Sequence, residues 1–355
     1  MPGSEFGIPI VDLTPRTAGP TDRRELAQVI TEICHEIGFM VVVNHGVPDR
    51  LLDEVFDSMD RFFSLPEDQK RSIDKTASPW FRGWEPVGTE YTNNRPDQRE
   101  QIDLWTPWPS RGRDVEPAYL RLLGPNQWPP ADVHPGLEAL MAEWFSTMGA
   151  LASDLLSLLA EGLDQPPDLF TRLFGTEPMS LTKLIHYPPT PPGTAGVNAH
   201  HDAGFLTVLA PGPTPGLEVQ TPDGAWMPIP QVDGGLVINL GEMLQGMTGN
   251  YLVATPHRVI TSEERSSAGY FHGPSLDLSL DPLPLDPRFA AAVAASERHR
   301  SAGFMARKHE TEAGVGDMAS AHRAATYGEQ LWNYFSRSYP DQMALHHGDI
   351  APADA

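Results

Sequence analysis

Between residues 181 and 275 the sequence breaks into short apolar runs, "LTKLIHY", "FLTVLA", "LEVQ", "LVINL", "YLVATPHRVI" and "SSAGYFHG", separated by Pro, Gly and polar residues. Runs so short and so often interrupted read as several β-strands joined by turns, the pattern of a sandwich or jelly roll. Helical patterns lie on both sides, so the expected fold is mixed α and β: a jelly-roll core with flanking helices. Leu26, Val29, Ile30, Ile33 and Ile37 recur at helical spacing, as do Leu52, Val55, Phe56, Met59 and Phe63. "IPIVDL" and "GFMVVVNHGV" read as strands beside them. A long helix is predicted over 135–163, with Leu137, Met141, Trp144, Met148, Leu151, Leu155 and Leu159 as its buried stripe. A last helix is predicted over 321–338, carrying Tyr327, Leu331, Tyr334 and Phe335 on one side.

Residues 66–130 are rich in Pro, Trp, Arg and Asp with weak periodicity, which predicts loops and short strands, with 80–105 as the candidate substrate lid. No repeat or sharp change of composition divides the chain. Residues 1–355 are therefore expected to form one domain. Within it, 8–130 supplies helices, strands and substrate loops, 135–175 supporting helices, 179–275 the jelly-roll core, and 276–355 a carboxy-terminal loop and helix.

A formal charge of −22, from 25 basic and 47 acidic residues, argues against nucleic acid as a partner, since phosphate binding needs clustered Lys and Arg. No apolar run approaches the roughly 20 residues that span a bilayer. The single cysteine, Cys34, excludes an intramolecular disulfide. A soluble, cytoplasmic protein with a small-molecule partner is the expectation. The oligomeric state is open.

The stretch "NAHHDAGFLTVLA" carries the chemistry. In an extended chain, side chains alternate, so His200 and Asp202 point one way and His201 the other. His257, in the strand-like "ATPHRVI" 55 residues after Asp202, offers a third ligand. Two histidines and one carboxylate form the facial triad of non-haem Fe(II) oxygenases. The competing reading of each is a hydrogen-bonded structural residue. Arg265 and Ser267 follow His257 by eight and ten residues, placed to grip a distal carboxylate.

Together with "IPIVDL", "EIGFMVVVNHGVP", "HYPPTPP", "GLEVQTPDGAWMPIP" and "VINLGEMLQGMTGN", these motifs resemble the isopenicillin N synthase-like family of Fe(II)/2-oxoglutarate oxygenases over nearly the whole chain. The resemblance implies a double-stranded β-helix, His200, Asp202 and His257 as iron ligands, and Arg265 with Ser267 as the clamp for the far carboxylate of 2-oxoglutarate. Tyr187 matches a cosubstrate-contacting tyrosine. Ile185 replaces the usual asparagine, and Lys183 is placed to lend charge nearby. His45, in "NHG", matches a structural turn.

Within the family, "ERSSAGYFHGP" and "YGEQLWNYFSRSYPD" resemble the bacterial ethylene-forming branch. By that likeness Arg337 and Tyr339 bind an amino-acid carboxylate at one end of a pocket, and Glu90 with Thr92 holds a cationic group at the other. Solvated loop acid is the alternative for Glu90. Phe271 is a candidate pocket wall, with core packing as its alternative. Ala203 stands where that branch commonly has tyrosine, which argues against ethylene formation itself.

The implied activity is dioxygenation: Fe(II), 2-oxoglutarate and dioxygen drive hydroxylation, desaturation or cyclisation of a small molecule, in specialised metabolism. Two other readings stay open on the sequence. One is an iron oxidase like isopenicillin N synthase that does without 2-oxoglutarate, and the other is a ligand-binding jelly roll that catalyses nothing.

Overall fold

The structure, a computed structural model, describes residues 7–92, 95–301 and 325–348. Its strands in chain order are β1 (Ile10–Asp12), β2 (Phe39–Val43), β3 (Gly83–Glu85), β4 (Tyr91–Thr92), β5 (Arg95–Pro96), β6 (Glu100–Trp105) and β7 (Leu181–Tyr187). They continue as β8 (Ala195–His200), β9 (Leu206–Ala210), β10 (Leu217–Gln220), β11 (Trp226–Pro228), β12 (Leu236–Leu240), β13 (His257–Ile260) and β14 (Arg265–His272). A major sheet runs β1-β2-β12-β9-β14-β7-β6-β3, and a minor sheet runs β11-β10-β13-β8. The two make the double-stranded β-helix that the strand pattern predicts.

Period-two alternation sorts the major sheet's side chains into two layers. Leu184, Val208, Ile238, Ala268 and Tyr270 join the helices in one apolar core. Their strand neighbours Ile185, Tyr187 and Val237 pack instead with Val197, Val219 and Val259 of the minor sheet. The Leu137–Gly162 helix covers the first layer with the stripe that its spacing foretold, Met141 to Leu159. Trp144 there is fully buried, and its Nε1 donates to Thr182 Oγ1 at 3.1 Å, so even its polar atom is satisfied.

Two expectations change. Residues 66–130 do hold loops and short strands, but β6 is a fully buried strand paired with β7 along its whole length, from Glu100 opposite His186 to Trp105 opposite Leu181. Its Glu100 and Asp103 take cationic partners, which lets a polar sequence lie inside the sheet. The helix expected over 321–338 is seen as Tyr327–Ser338, with residues 321–324 outside the described residues, and it is not the last, since a further helix, Pro340–His347, follows it. His45 is the structural turn residue expected: its Nδ1 accepts from the Val47 amide and its Nε2 hydrogen-bonds the Gly234 carbonyl. Among the described residues no helix is long and apolar enough to cross a membrane.

Candidate metal centre and cosubstrate pocket

The antiparallel register of β8 and β13 sets His257 directly opposite His200, with ring centroids 4.3 Å apart. Asp202, just beyond the end of β8, turns Oδ1 toward both rings, 3.8 Å from His200 Nε2 and 3.6 Å from His257 Nε2. Each residue thus offers one donor atom, all within 4.8 Å of one another. His201 takes no part in this group.

The hydrogen bonds behind the three residues fix which atoms face inward. Nδ1 of His200 lies 2.9 Å from the Asn198 carbonyl, and Nδ1 of His257 lies 3.2 Å from that of Thr255. A carbonyl only accepts, so each Nδ1 carries the proton and each Nε2 keeps its lone pair for a metal. Burial, with His257 alongside, pushes His200 down to about 4, which keeps its ring neutral. Asp202 Oδ2 accepts from Thr207 Oγ1 and Asn239 Nδ2, both at 2.6 Å, leaving Oδ1 to the histidines. Burial alone would raise this carboxyl's pKa, but His257, His200 and those two donors hold it lowered. Two imidazoles that present Nε2 and one carboxylate suit Fe(II).

A second feature lies on the neighbouring strands. β14 and β7 pair Arg265 with Tyr187 and Ser267 with Ile185, so all four share the inner face. Arg265 is 2% exposed; its Nη1 donates to Ser267 Oγ at 3.0 Å and its Nη2 to the Pro211 carbonyl at 3.1 Å. Its guanidinium carbon lies 5.0 Å from the Tyr187 ring centroid, and its Nε is buried with no partner. Among the described residues no carboxylate pairs with it. A buried cation lacking its anion is completed by a carboxylate ligand, which is the fit expected of a keto-diacid. Phe271 lies two pleats farther along the same face, its ring folded over Gly269.

Lys183, expected beside the cosubstrate, is drawn elsewhere: its Nζ lies 3.0 Å from Asp103 and 3.2 Å from Glu90. It belongs to a buried ion chain that sequence reasoning missed. Arg99 Nη2 reaches Glu90 at 2.7 Å and Asp97 at 3.2 Å, while Lys75 Nζ lies 2.8 Å from both Glu85 and Asp103. Burial opposes Glu90's charge, yet Arg99 and Lys183 hold its pKa well below the usual carboxylate range. The one signal in the sequence was the density of opposite charges in "DQREQIDLW".

Besides Phe271, the four residues expected at the two ends of the substrate pocket are arranged differently. Glu90, Arg337 and Tyr339 line one cavity of about 210 Å³, together with Thr89, Tyr91 and Tyr334, so they converge instead of standing at opposite ends. Thr92 does not line it; its hydroxyl donates to Asp97 Oδ2 at 2.7 Å. The Tyr339 hydroxyl accepts from Lys75 Nζ at 2.7 Å and donates to Glu85 at 3.2 Å, which commits it to the ion chain. Arg337 remains at the exposed rim.

Comparison with known proteins adds family and fold. Residues 178–274 match the 2OG-Fe(II) oxygenase superfamily, and residues 8–131 match the N-terminal region described as non-haem dioxygenase in morphine synthesis. The 2-oxoglutarate-dependent dioxygenase frbJ of Dothideomycetidae sp. (strain 11243) is 33% identical over 78% of this chain and 76% of its own length. Homoarginine-6-hydroxylase 2-ODD-C23 of Glycine max is 32% identical over 78% of this chain and 88% of its own. Among solved structures, a full-length Neurospora crassa protein in complex with alpha-KG and thymine superimposes with a TM-score of 0.69 at 22% identity, over 82% of this chain and 98% of that one.

Proposed function

The chain belongs to the 2OG-Fe(II) oxygenase superfamily, and from that premise we propose that its substrate is an amino acid, or a derivative of one, with a second cationic group. The enzyme is a non-haem iron, 2-oxoglutarate-dependent dioxygenase that oxidises a small molecule. His200, Asp202 and His257 are the residues to hold the iron, and Arg265 with Ser267 the far carboxylate of 2-oxoglutarate, beside Tyr187. When bound, Fe(II) with 2-oxoglutarate and dioxygen supplies the oxidising equivalents for a substrate C–H bond, the keto acid leaving as succinate and carbon dioxide. The chain's own work is to fix the donor atoms, match the charges of both small molecules and keep water from the reacting carbon.

The observation that carries the substrate reading is the charge balance beside the cavity. Three buried carboxylates, Glu85, Asp97 and Asp103, and the half-buried Glu90 face three cations, Lys75, Lys183 and Arg99. The ion chain runs Glu85–Lys75–Asp103–Lys183–Glu90–Arg99–Asp97 and so carries one negative charge in excess; Glu90, between its two cations, is the member that opens onto the cavity, where a cationic group restores neutrality. Arg337 at the same cavity's rim is placed to meet a carboxylate. The likeness to the ethylene-forming branch and the homoarginine hydroxylases among the relatives favour the same class. Ala203, exposed beside Asp202, leaves room where that branch has a tyrosine.

Succinate release measured across free amino acids and their derivatives tests this reading. Basic amino acids are expected to drive turnover, and product analysis then separates hydroxylation from desaturation or cyclisation. Glu90→Gln and Arg337→Ala should each raise the substrate KM about 10-fold or more, the loss of one charged contact worth about 1.5–3 kcal/mol. Turnover confined to apolar substrates, with both variants behaving like the parent, would overturn it.

A further inference from the structure

β8 carries an iron ligand yet lies at the edge of the minor sheet, with β13 as its single strand neighbour. β13, which carries His257, is held between β10 and β8. An edge strand presents unpaired backbone groups, and something other than a strand must hold them. Here the segment just before β6 does so. The Gln98 amide donates to the Gly196 carbonyl at 2.9 Å, and the Asn198 amide donates to Asp97 Oδ1 at 3.3 Å. The Asn198 side chain adds a second bond to the same oxygen at 3.1 Å. The Asn198 carbonyl, in turn, accepts a hydrogen bond from His200 Nδ1.

Asp97 joins this edge of β8 to the ion chain. It is fully buried, and its Oδ2 is occupied by Thr92 and Arg99, so the carboxylate is fixed at both oxygens. His200 is the more exposed of the two histidines, 30% against 10% for His257, and has less packing to hold its ring. We propose that Asp97 is a positioning residue for the iron centre, acting on His200 through Asn198. It touches neither metal nor substrate. By anchoring the outer edge of β8 it sets where the Asn198 carbonyl lies, and so where His200 Nε2 points. The inference is independent of which substrate is oxidised.

Co(II), titrated into the metal-free full-length protein and followed by its visible absorption, serves as the probe. Asp97→Ala is expected to weaken Co(II) binding 10- to 100-fold, the range found when partners behind metal ligands are removed. Asp97→Asn should recover part of that loss, because its amide oxygen still accepts from Asn198. A purely structural role moves different quantities: the metal-free Tm falls while the Co(II) Kd and the Co(II)-induced rise in Tm stay at parental values, and that result overturns the proposal. Should Asp97→Ala fail to fold, Asn198→Ala decides. It removes the shorter of the two bonds to Asp97, and a loss of about 3-fold or more in Co(II) affinity is expected, whereas parental affinity overturns the proposal.

Discussion

Asp202→Ala is expected to abolish tight Fe(II) binding, and with it all 2-oxoglutarate turnover, while leaving a folded protein. The carboxylate is the one anionic group of the three proposed to hold the iron, and its Oδ1 stands between the two Nε2 atoms, so no neighbour takes its place. Losing a partner behind a ligand costs about 10- to 100-fold in metal affinity, and losing a charged ligand outright should exceed that. The substitution also leaves Thr207 Oγ1 and Asn239 Nδ2 without their acceptor in a buried site, a penalty of about 1–3 kcal/mol. Thermal melts with and without Fe(II) separate the two effects: the metal-free Tm falls modestly, and the metal-induced rise disappears. His201→Ala is the control and should keep most of the parental affinity. Metal binding that survives Asp202→Ala, or vanishes in His201→Ala, would mean the wrong side chains have been assigned to the iron.

His200, Asp202 and His257 lie together in the structure, yet strand alternation reaches only to His200 at the end of β8, and Asp202 takes its place in the turn beyond. The Leu137–Gly162 helix was readable, its stripe being regular over many turns. β6 was not. Strand recognition relies on apolar residues, and "EQIDLW" hides its role because Glu100 and Asp103 are neutralised by Lys70, Lys75 and Lys183, whose positions the sequence does not reveal. The same reason explains the misplaced substrate residues. Tyr339 and Thr92 are hydroxyls that any acceptor can claim: Glu85, which claims Tyr339, is 254 residues away in the chain, whereas Asp97, which claims Thr92, lies just past the local β4–β5 pair and is itself fixed by Arg99. Local rules placed the backbone of the site, whereas the distribution of charge depended on long-range partners.

Arg265 gives the other large effect, and the sign of its effect on stability distinguishes a ligand clamp from a structural arginine. A buried cation without an anion destabilises the protein that holds it, since neither hydroxyl nor carbonyl repays full desolvation. Burial indeed lowers the Arg265 pKa, with the Tyr187 ring and hydroxyl offsetting part of that effect. Arg265→Met should therefore leave the metal-free, cosubstrate-free protein as stable as the parent or more so. In the same variant the stabilisation conferred by 2-oxoglutarate, about 2.7 kcal/mol at 100 times Kd for the parent, should vanish. Arg265→Lys keeps the charge but loses the planar fork, so two parallel hydrogen bonds to a carboxylate become one. Its KM for 2-oxoglutarate should rise about 10- to 100-fold with a smaller change in kcat, because the far carboxylate is gripped alike before and during reaction. Were Arg265 a structural residue, the order would reverse: Arg265→Met would lower the Tm of the ligand-free protein and leave the 2-oxoglutarate requirement of the surviving activity unchanged. That second outcome would also revive an isopenicillin N synthase-like reaction, in which the same Arg and Ser pair meets no keto acid.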